Sequence, residues 1–561
     1  MKKIKVAILV DDSDQSFLNF DLYKQSLDSK YYEISTLIVN KLSEGIISGN
    51  LIERVIKILR NRGLIWFLEQ AFFSLITKIE NYKLPSDYKQ GVLDNHKLDE
   101  FKVNFINVYP IISKSGLVYR YNDEDLNKIR DGNIDVIVRG GSGILRGKIL
   151  NICRFGIISF HHGDIDFYRG GPAGFWEVYH RTPSTGFNIQ ILNEVLDGGD
   201  VIFKGNIATR PFQTRNVIDL YRKSSIFMHK VIESIAKNDR IGFIYPKKPY
   251  SNKLYTYPNI LESSSYLFRF LIVPFFVNRI KRIIVSKRID RWSVAYANSS
   301  DWKNTVLFKS KVIKNPPYKF LADPFIITKN NQTCIFLEDY DYRKGRGAIS
   351  AYEITRNGYK ELGTVLSEDF HLSYPFLIEE NNVLYMLPET YQIKEIRLYK
   401  CLEYPLKWTL HKIIMKDVDA ADSSIFKHEG KFWLLTNLDS SKMNDHSSEL
   451  HVFYSDNLDT QEWISHPMNP VVFNSEHARN GGLIMNNEGI FRIYQVQDFN
   501  QYGARMGVAK ISTLTTNHYK EEYLFGITPN FFEDLRGTHT YSYDRISKIA
   551  VIDFVRLDNY K

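Results

Sequence analysis

At 561 residues the chain is too long for one hydrophobic core, so two or three domains are expected. Hydrophobic residues make up 44% and charged residues 24%, which excludes a disordered or fibrous chain. The net charge of +9 suits a nucleic acid, an anionic membrane or a phosphorylated ligand as a partner. Three widely spaced cysteines without a CxxC pair argue against a disulfide framework or a structural zinc site, and they favour a reducing compartment.

The first 245 residues alternate short apolar runs with helical patterns. The runs VAILV, YEISTLIV, FINVY, DVIVRG and GIISF predict strands, and the spacing over 51–79 predicts a helix. This alternation predicts an α/β domain, residues 1–245, with a mostly parallel, Rossmann-like sheet. The first run ends at Asp11, too early for a signal peptide, and no uncharged run is long enough to span a bilayer. A cytoplasmic location is therefore expected.

A predicted linker, residues 246–299, contains the apolar stretch SSYLFRFLIVPFFV, which is followed by basic residues. We expect a helix here, broken near Pro274. Between Arg279 and Arg291 there are six Lys or Arg residues, opposed only by Asp290. Two interpretations remain open for 262–292: a helix packed between domains, or a segment in peripheral contact with the inner face of an anionic membrane.

Short strand-like runs punctuated by turn residues fill the chain from 300 to 561. Their spacing predicts an all-β propeller of about five four-stranded blades. The imperfect repeats ADPFI, SYPFLI and ADSSIF each place a polar residue just before a strand, where it would face the central channel. Trp408, Trp433 and Trp463 are expected in the cores of the blades.

Two loops lie where ligands bind in open α/β sheets, after the carboxyl ends of strands. They are VRGGSG, starting at Val138, and SFHHGD, starting at Ser159. Neither has the G-x-G-x-x-G spacing, which excludes a dinucleotide fingerprint. A later loop, LDGGD, places Asp197 where its carboxylate would orient a histidine that moves a proton.

The segment from Ser159 to Ile202 resembles the folate-dependent formyltransferases, which include methionyl-tRNA, glycinamide ribonucleotide and sugar N-formyltransferases. The family pattern is Asn-x-His, then Tyr-Arg-Gly, Thr-Gly-x-Thr-Ile and Leu-Asp-x-Gly-Asp. Here it reads SFH at 159–161, YRG at 168–170, TGFNI at 185–189 and LDGGD at 196–200. The order and the spacing agree with the family.

This resemblance implies transfer of a formyl group from N10-formyltetrahydrofolate to an amine, without a metal. His161 would assist proton movement and stabilise the oxyanion, and Asp197 would position His161. The family's asparagine is replaced by Ser159, and the residue after the catalytic histidine is His162. Loss of an oxyanion donor costs about a hundredfold or more in rate, so Ser159, His162 or a water must substitute.

The resemblance also implies ligand-binding positions. The folate would lie against the glycine-containing loop and the loop around Asp197, which are represented by Arg139, Gly140, Gly141, Ser142, Gly143, Val195, Leu196 and Asp200. The glycines fit a plain strand-to-helix turn equally well. The acceptor would meet Arg169, Gly170 and Gly171, and Arg169 would contact either an acceptor phosphate or an acidic neighbour.

The C-terminal half resembles the five-bladed propellers of certain glycosidases and a similar module in plant glucosamine inositolphosphorylceramide transferases. The motifs that carry this resemblance are LADPFI, HLSYPFLI, LPETYQ, ADSSIF and HARNGG. The channel candidates are Asp323, His371, Glu389, Asp422, Arg479 and His539. Paired carboxylates serve glycoside hydrolysis, and the same residues also suit sugar binding or ordinary turns.

Two functions remain open. The first is an N-formyltransferase that acts on a nucleotide- or lipid-linked amino sugar for surface glycan synthesis. The second is a glycan-binding or glycoside-processing propeller protein whose formyltransferase-like half is degenerate. No RNA-binding domain is recognised, so nucleic acid is not an expected partner.

Overall fold

The computed structural model describes residues 3–41, 63–89, 91–195, 198–277 and 288–559. It separates into two compact units, Met1–Asn278 and Arg279–Lys561. The predicted linker, 246–299, is therefore divided between the units rather than standing apart. The beginning of the helix predicted over 51–79 lies outside the described residues.

The N-terminal unit is an α/β domain, as predicted. Its described helices are α1 (Phe17–Asp28), α2 (Leu64–Lys83), α3 (Ser86–Lys89), α4 (Asp123–Asp131), α5 (Phe175–His180), α6 (Gln213–Asn238) and α7 (Ile260–Tyr266). Its described strands are β1 (Ile4–Asp11), β2 (Tyr32–Asn40), β3 (Asn104–Val108), β4 (Ile111–Ile112), β5 (Val118–Arg120), β6 (Val136–Arg139), β7 (Ile144–Leu145), β8 (Ile157–His161), β9 (Arg169–Gly170), β10 (Ser184–Ile191), β11 (Asp200–Ala208) and β12 (Leu254–Tyr255).

The main sheet has the strand order β11-β10-β8-β6-β1-β2-β3. Strands β8, β6, β1, β2 and β3 are parallel, whereas β10 pairs antiparallel with both β8 and β11. Strands β1, β6 and β8 are apolar and almost fully buried, as expected where helices cover both faces of such a sheet. The predicted sheet is confirmed, and the loops after β6 and β8 leave the same edge.

Residues 246–277 belong to this unit. Helix α7 begins with a reciprocal cap between Asn259 and Glu262 and continues as a π-helix over Leu267–Ile272. The Tyr266 hydroxyl donates a hydrogen bond to the buried carboxylate of Glu80 on α2. Helix α7 is therefore anchored on α2.

By length and composition, the helical stretch Ile260–Val277 is apolar enough to cross a membrane, with a mean hydropathy of 1.5 and 22% of it buried. The stretch contains Glu262 and Arg269. The sequence analysis excluded bilayer-spanning runs only among uncharged segments, so it does not cover this one. Large apolar side chains are exposed along it, namely Leu261, Phe268, Phe275 and Phe276.

Residues 288–559 form five antiparallel sheets. The first contains β15 (Lys319–Lys329), β16 (Gln332–Asp341), β17 (Arg346–Thr355) and β18 (Gly358–Leu366); the second, β19 (Ser373–Glu380), β20 (Val383–Glu389), β21 (Glu395–Glu403) and β22 (Lys407–Lys416). The third contains β23 (Ala420–His428), β24 (Lys431–Leu438), β25 (Glu449–Ser455), β26 (Ile464–Ser465) and β27 (Val472–Phe473); the fourth, β28 (Asn480–Asn486), β29 (Gly489–Asp498), β30 (Gln501–Leu514) and β31 (Tyr519–Ile527). The fifth contains β13 (Arg288–Asn298), β14 (Lys311–Ile313), β32 (Leu535–Gly537), β33 (Tyr541–Asp544) and β34 (Ile549–Asn559).

The five sheets close into a ring, which confirms the predicted propeller. Strand β15 contacts β19, β19 contacts β23, β23 contacts β28, β28 contacts β33, and β33 contacts β15. In the fifth sheet, β13 lies between β14 and β34 and pairs with β34 along its whole length. The boundary predicted at residue 300 is therefore wrong, because β13 precedes it and completes a blade.

Each of the first three inner strands contains a bulge at the repeat found in the sequence. The residues that take a left-handed backbone conformation there are Asp323 (φ 49°), Tyr374 (φ 45°) and Asp422 (φ 47°). Such strain in non-glycine residues is held in place by the surrounding structure and clusters at functional sites. Trp408 and Trp463 pack against the hydrophobic cores of blades, and Trp433 is a core residue itself.

Candidate functional site

Four polar side chains share one face of the antiparallel pair formed by β8 and β10. Residues opposite each other in such a pair point to the same face, and every second residue along a strand does too. Asn188 lies opposite His161, and Gln190 lies opposite Ser159. All four are buried. We call Ser159, His161, Asn188 and Gln190 the site face.

The ring of His161 is fixed by a backbone contact. Its Nε2 lies 2.8 Å from the carbonyl oxygen of Tyr168. Because a carbonyl oxygen only accepts hydrogen bonds, Nε2 carries the proton and Nδ1 is the basic nitrogen of the neutral ring. The loop after β8 thus sets the tautomer that a proton-accepting histidine needs.

His162 does not belong to the site face, so its predicted role as a substitute oxyanion donor is wrong. His162 directly follows the last residue of β8, and its ring lies between Phe160 and Tyr221. Its Nε2 lies 3.0 Å from the Ser224 hydroxyl on α6. Burial, with a smaller contribution from His161, lowers the pKa of His162 to about 3. It is a neutral core residue.

Packing within the chain accounts for the glycines of the loop at 139–143. A Cβ on Gly140 would lie 2.2 Å from the Asn19 side chain, and one on Gly143 would lie 2.7 Å from the ring of Tyr119. The Arg139 guanidinium donates to the Gly143 carbonyl, and the Asp11 carboxylate accepts from the Ser142 amide at 2.7 Å. These contacts support the plain-turn interpretation of these glycines, and a role in binding folate stays a prediction.

Asp197 and Leu196 lie outside the described residues, but the loop on either side of them is held in place. The Asn193 side chain accepts from the Val195 amide at 2.8 Å and donates to the Gly198 carbonyl at 2.9 Å. Val195 is exposed, and Asp200 pairs with Lys247 at 2.8 Å. The roles of these four residues stay predictions.

The YRG motif is tied to a later segment of the same unit. Gly170 and Gly171 run beside β12, where a Cβ on Gly170 would lie 2.0 Å from the Tyr255 carbonyl oxygen. The Arg169 guanidinium stacks on the ring of Tyr250, 4.4 Å from its centroid, and Nε donates to the Ile165 carbonyl. Gly170 thus has a structural reason of its own, whereas a Cβ on Gly171 would meet nothing within 4 Å.

A cavity of about 220 Å³ opens beside Gly198 and Gly199, directly after the segment that contains Asp197. Its walls include Arg169, Lys204, Lys247 and Lys248. Asp166 pairs with Lys204 at 2.8 Å and with Lys248 at 3.5 Å, and Asp200 pairs with Lys247 at 2.8 Å, so two carboxylates face the four cations. The cavity therefore has an excess of positive charge.

The second unit gathers buried charges where its inner strands meet. We call this set the channel cluster; its carboxyl groups are Asp323, Glu338, Glu389, Asp422 and Asp553, and its cations are Arg479 and His539. Arg479 Nε lies 2.6 Å from Asp422 Oδ2 and its Nη2 lies 3.8 Å from Glu389 Oε2. His539 Nδ1 lies 2.5 Å from Asp553 Oδ2 and 3.8 Å from Asp323 Oδ1.

The members of the cluster differ in protonation. Burial and the nearby Asp422 raise the pKa of Glu389 well above its usual range, and burial and Asp323 do the same for Glu338. Burial raises the pKa of Asp323 to about 6. Burial opposes the charged ring of His539, yet Asp553 and Asp323 hold its pKa above the ordinary value. The cluster therefore contains both protonated acids and paired carboxylates, a combination suited to acid–base chemistry.

Among the predicted channel residues, five belong directly to the cluster, and His371 joins it through a neighbour. His371 Nε2 lies 3.5 Å from Glu338 Oε1, and burial lowers its pKa to about 4. Asp323, His539 and Asp553 each present one ligand atom within 4.8 Å of the others, as a metal site would. Because His539 and Asp553 already satisfy each other, we assign no metal to this group.

Several residues around the cluster were not identified from the sequence. Glu338 lies opposite Ala322 in its blade as Glu389 lies opposite Ser373 in the next one, so an alignment of the repeats would have found it. Asp553 is a fully buried acid in an apolar run, a signal in itself. Trp292, placed in the predicted linker, stacks on His539 with 3.9 Å between centroids, and the exposed ring of Tyr502 meets His539 edge-on at 5.2 Å.

Comparison with known proteins supports the two resemblances in different parts of the chain. Residues 281–556 match the family described as glucosamine inositolphosphorylceramide transferase 1, N-terminal. The protein of that name from Oryza sativa subsp. japonica is 33% identical over 231 residues, which cover 40% of this chain and 31% of the rice protein. The Arabidopsis thaliana protein is 34% identical over 212 residues, or 36% and 27% of the two chains. The match thus spans less than a third of these relatives.

The N-terminal half is similar to a second group. Methionyl-tRNA formyltransferase from Bacillus subtilis is 26% identical over 251 residues, which cover 43% of this chain and 76% of that enzyme. Among solved structures, glycinamide ribonucleotide transformylase 1 from Symbiobacterium toebii aligns with 42% of the chain and 89% of its own at a TM-score of 0.28 and 11% identity. Glycosidase structures are similar to the C-terminal part. A family 117 glycoside hydrolase from Zobellia galactanivorans aligns with 48% of the chain and 92% of its own at a TM-score of 0.30 and 13% identity.

Proposed function

We propose that the N-terminal unit is an N-formyltransferase that moves a formyl group from N10-formyltetrahydrofolate to the amine of a nucleotide- or lipid-linked amino sugar. The observation that carries the proposal is His161, buried at the carboxyl end of β8 with its tautomer set by the Tyr168 carbonyl. The motif order and the similarity to methionyl-tRNA formyltransferases supply the reaction class.

The donor supplies an activated formyl carbon. The acceptor amine attacks that carbon, the bond to N10 of the donor breaks, and the proton lost by the amine goes by way of Nδ1 of His161 to the leaving nitrogen. Removing a positioned general base of this kind lowers rates by about 10²–10⁴-fold. The buried carboxamide oxygen of Gln190 on the site face has no hydrogen-bond partner, and a half-turn of the amide would present its NH₂ group to a carbonyl-bearing ligand there.

The cavity lined by Arg169, Lys204, Lys247 and Lys248 supports an acceptor that carries phosphate. Nucleotide-linked and lipid-linked sugars share that group, and guanidinium and ammonium groups bind it through charge-assisted hydrogen bonds. The plant relatives, named for a transferase that acts on inositolphosphorylceramide, agree with a phosphate-linked lipid or glycan acceptor.

Calorimetry with a tetrahydrofolate analogue, together with formyl transfer to a panel of nucleotide-linked amino sugars, tests the proposal. We expect micromolar folate binding and turnover in the unsubstituted protein. His161→Ala should abolish turnover, whereas His162→Gln, on the opposite face, should retain it. Absence of both folate binding and turnover in the unsubstituted protein would contradict the proposal.

A second candidate function is recognition of a glycan by the propeller. It is favoured by the exposed ring of Tyr502 and the half-buried ring of Trp292 beside the carboxyl groups of the channel cluster, since sugars bind on aromatic faces with polar groups around them. Loss of glycan binding in Tyr502→Ala, with folate binding intact, would assign the sugar site to the propeller. Equal binding by both forms would exclude this site.

We also propose that 262–292 contacts an anionic membrane from the cytoplasmic side. The exposed Phe268, Phe275 and Phe276 supply an apolar surface, and the basic run that follows supplies charge. Flotation with vesicles of phosphatidylcholine and phosphatidylserine should retain the protein at low salt and release it at high salt. Flotation unchanged by replacing all three phenylalanines with serine would contradict the proposal.

A further inference from the structure

The site face lacks an obvious oxyanion donor. The asparagine expected two residues before the histidine is Ser159, whose hydroxyl donates to the Phe160 carbonyl at 3.1 Å. The amide of Asn188 donates to the Gly163 carbonyl at 2.7 Å, and His162 points away. Each of these three candidates already has a hydrogen-bond partner within the chain.

Gln190 remains, and its carboxamide is in an unusual state. The residue is 3% exposed, yet its Oε1 is buried without a hydrogen-bond partner. Such an atom costs about 1–3 kcal/mol, which a ligand that completes the hydrogen bond can recover. A half-turn of the amide exchanges oxygen and nitrogen, so the same position can present either an acceptor or a donor.

The surroundings of Gln190 place it between the two halves of the predicted site. Across the β8–β10 pair it faces Ser159, the position of the missing asparagine. On its other side, a Cβ on Gly199 would lie 2.8 Å from Gln190 Oε1, and Gly199 follows Asp197 by two residues. The carboxamide thus lies between the serine position and the loop that carries the predicted carboxylate.

We propose that Gln190 is the oxyanion donor of the formyl-transfer site, supplying from β10 the carboxamide that the chain lacks at Ser159 on β8. This inference rests on the proposed function. A glutamine has one more methylene than asparagine, and it starts from the neighbouring strand, whose paired Cβ atoms lie about 5 Å apart. The amide NH₂ donates to the formyl oxygen as negative charge develops on it, and no covalent bond to Gln190 forms.

The test compares Gln190→Leu, Gln190→Glu and the double variant Ser159→Asn/Gln190→Leu. We expect Gln190→Leu to lower kcat for formyl transfer by about 10²–10³-fold, the loss typical of one oxyanion donor. Adding Ser159→Asn should recover much of that loss, because it restores a carboxamide on the same face. Gln190→Glu keeps the shape but presents a carboxylate, and it should be as impaired as Gln190→Leu.

A second readout does not depend on turnover. Calorimetry should show that Gln190→Leu reduces the affinity for a 10-formyl folate analogue while leaving that for the same analogue without the formyl group unchanged. Thermal unfolding and circular dichroism show whether each variant is folded. Equal loss of both affinities would indicate a structural role and overturn the inference.

The outcomes separate this inference from the proposed function. An active protein in which Gln190→Leu is also fully active would overturn the assignment of Gln190 and leave formyl transfer standing. A protein that neither binds folate nor transfers formyl groups to any amine would overturn both.

Discussion

The guanidinium of Arg479 reaches the carboxylate of Asp422, with 2.6 Å between Nε and Oδ2, at a point where neither side chain is exposed to much solvent. The same carboxylate accepts a hydrogen bond from Gln495 at 2.9 Å. Asp422 lies on β23, the inner strand of the third blade, and Arg479 directly precedes β28, the inner strand of the fourth. The pair therefore links these two blades and contributes charge to the channel cluster.

Breaking this pair from one side should be costly. We expect Arg479→Met to destabilise the protein by about 3–5 kcal/mol, because Asp422 is left buried without its partner. Urea unfolding followed by tryptophan fluorescence measures the loss. The double variant Arg479→Met/Asp422→Asn should be more stable than Arg479→Met alone, and a double variant at least as unstable as the single one would show that charge is not the cause.

Glu177 should make stability fall as the pH rises. The residue is 2% exposed, and burial raises the pKa of its carboxyl from 4.5 to about 8. The unfolded chain releases this proton near pH 4.5, whereas the folded chain releases it only near pH 8. The contribution of the protonated carboxyl to the free energy of unfolding is therefore complete below pH 4.5 and is lost as the pH rises from 4.5 to about 8.

Denaturant melts at pH 5 and pH 8 compare the protein with Glu177→Gln, which keeps the shape without the charge. From pH 5 to pH 8 the free energy of unfolding should fall by a few kcal/mol less in the variant than in the unsubstituted protein. An identical pH dependence of both proteins would show that Glu177 is not the group responsible.

His162 should produce the opposite trend in acid. Burial lowers its pKa in the folded state from 6.5 to about 3, so its contribution is present above pH 6.5 and is lost as the pH falls toward 3. His162→Gln retains a partner for Ser224 without titrating. The variant should unfold at a lower pH than the unsubstituted protein, as monitored by near-ultraviolet circular dichroism.

Two glycines allow steric contact to be separated from backbone strain. Gly143 and Gly147 have φ values of 82° and 83°, but a Cβ on Gly143 would meet the Tyr119 ring at 2.7 Å, whereas one on Gly147 would meet nothing within 4 Å. Gly147→Ala should cost about 1 kcal/mol from the backbone alone, and Gly143→Ala clearly more. Equal losses in thermal melts would show that Tyr119 moves aside freely.

The sequence was most informative where the relevant signal is local. Five parallel strands, the blade repeats and the strand-end position of His161 follow from apolar runs and turn residues that are close together in the chain. The pairing of Gln190 with Ser159 depends on the register of two strands, which no short motif encodes. The prediction for His162 is wrong for a related reason: adjacent histidines look like one feature in a sequence, but at the end of β8 the two rings have different partners, the Tyr168 carbonyl and the Ser224 hydroxyl.

The fifth blade shows the same limitation at long range. Strand β13 looked like part of a linker because its partner, β34, lies about 250 residues further along the chain. The channel residues Trp292 and Asp553 belong to these two strands and were missed with them. Pairings between distant segments become visible only in the folded structure.

That blade also sets the order in which the molecule can be completed during synthesis. Strand β13 leaves the ribosome before any other propeller strand, and β34 leaves it after all the others. Until β34 emerges, β13 lacks the neighbour with which it pairs along its whole length, and the first four sheets cannot form a closed ring. The N-terminal unit, which precedes β13, can fold while translation continues. A ribosome that stalls before residue 549 would therefore hold a finished α/β unit followed by an open propeller with exposed strand edges, a target for chaperones and proteases.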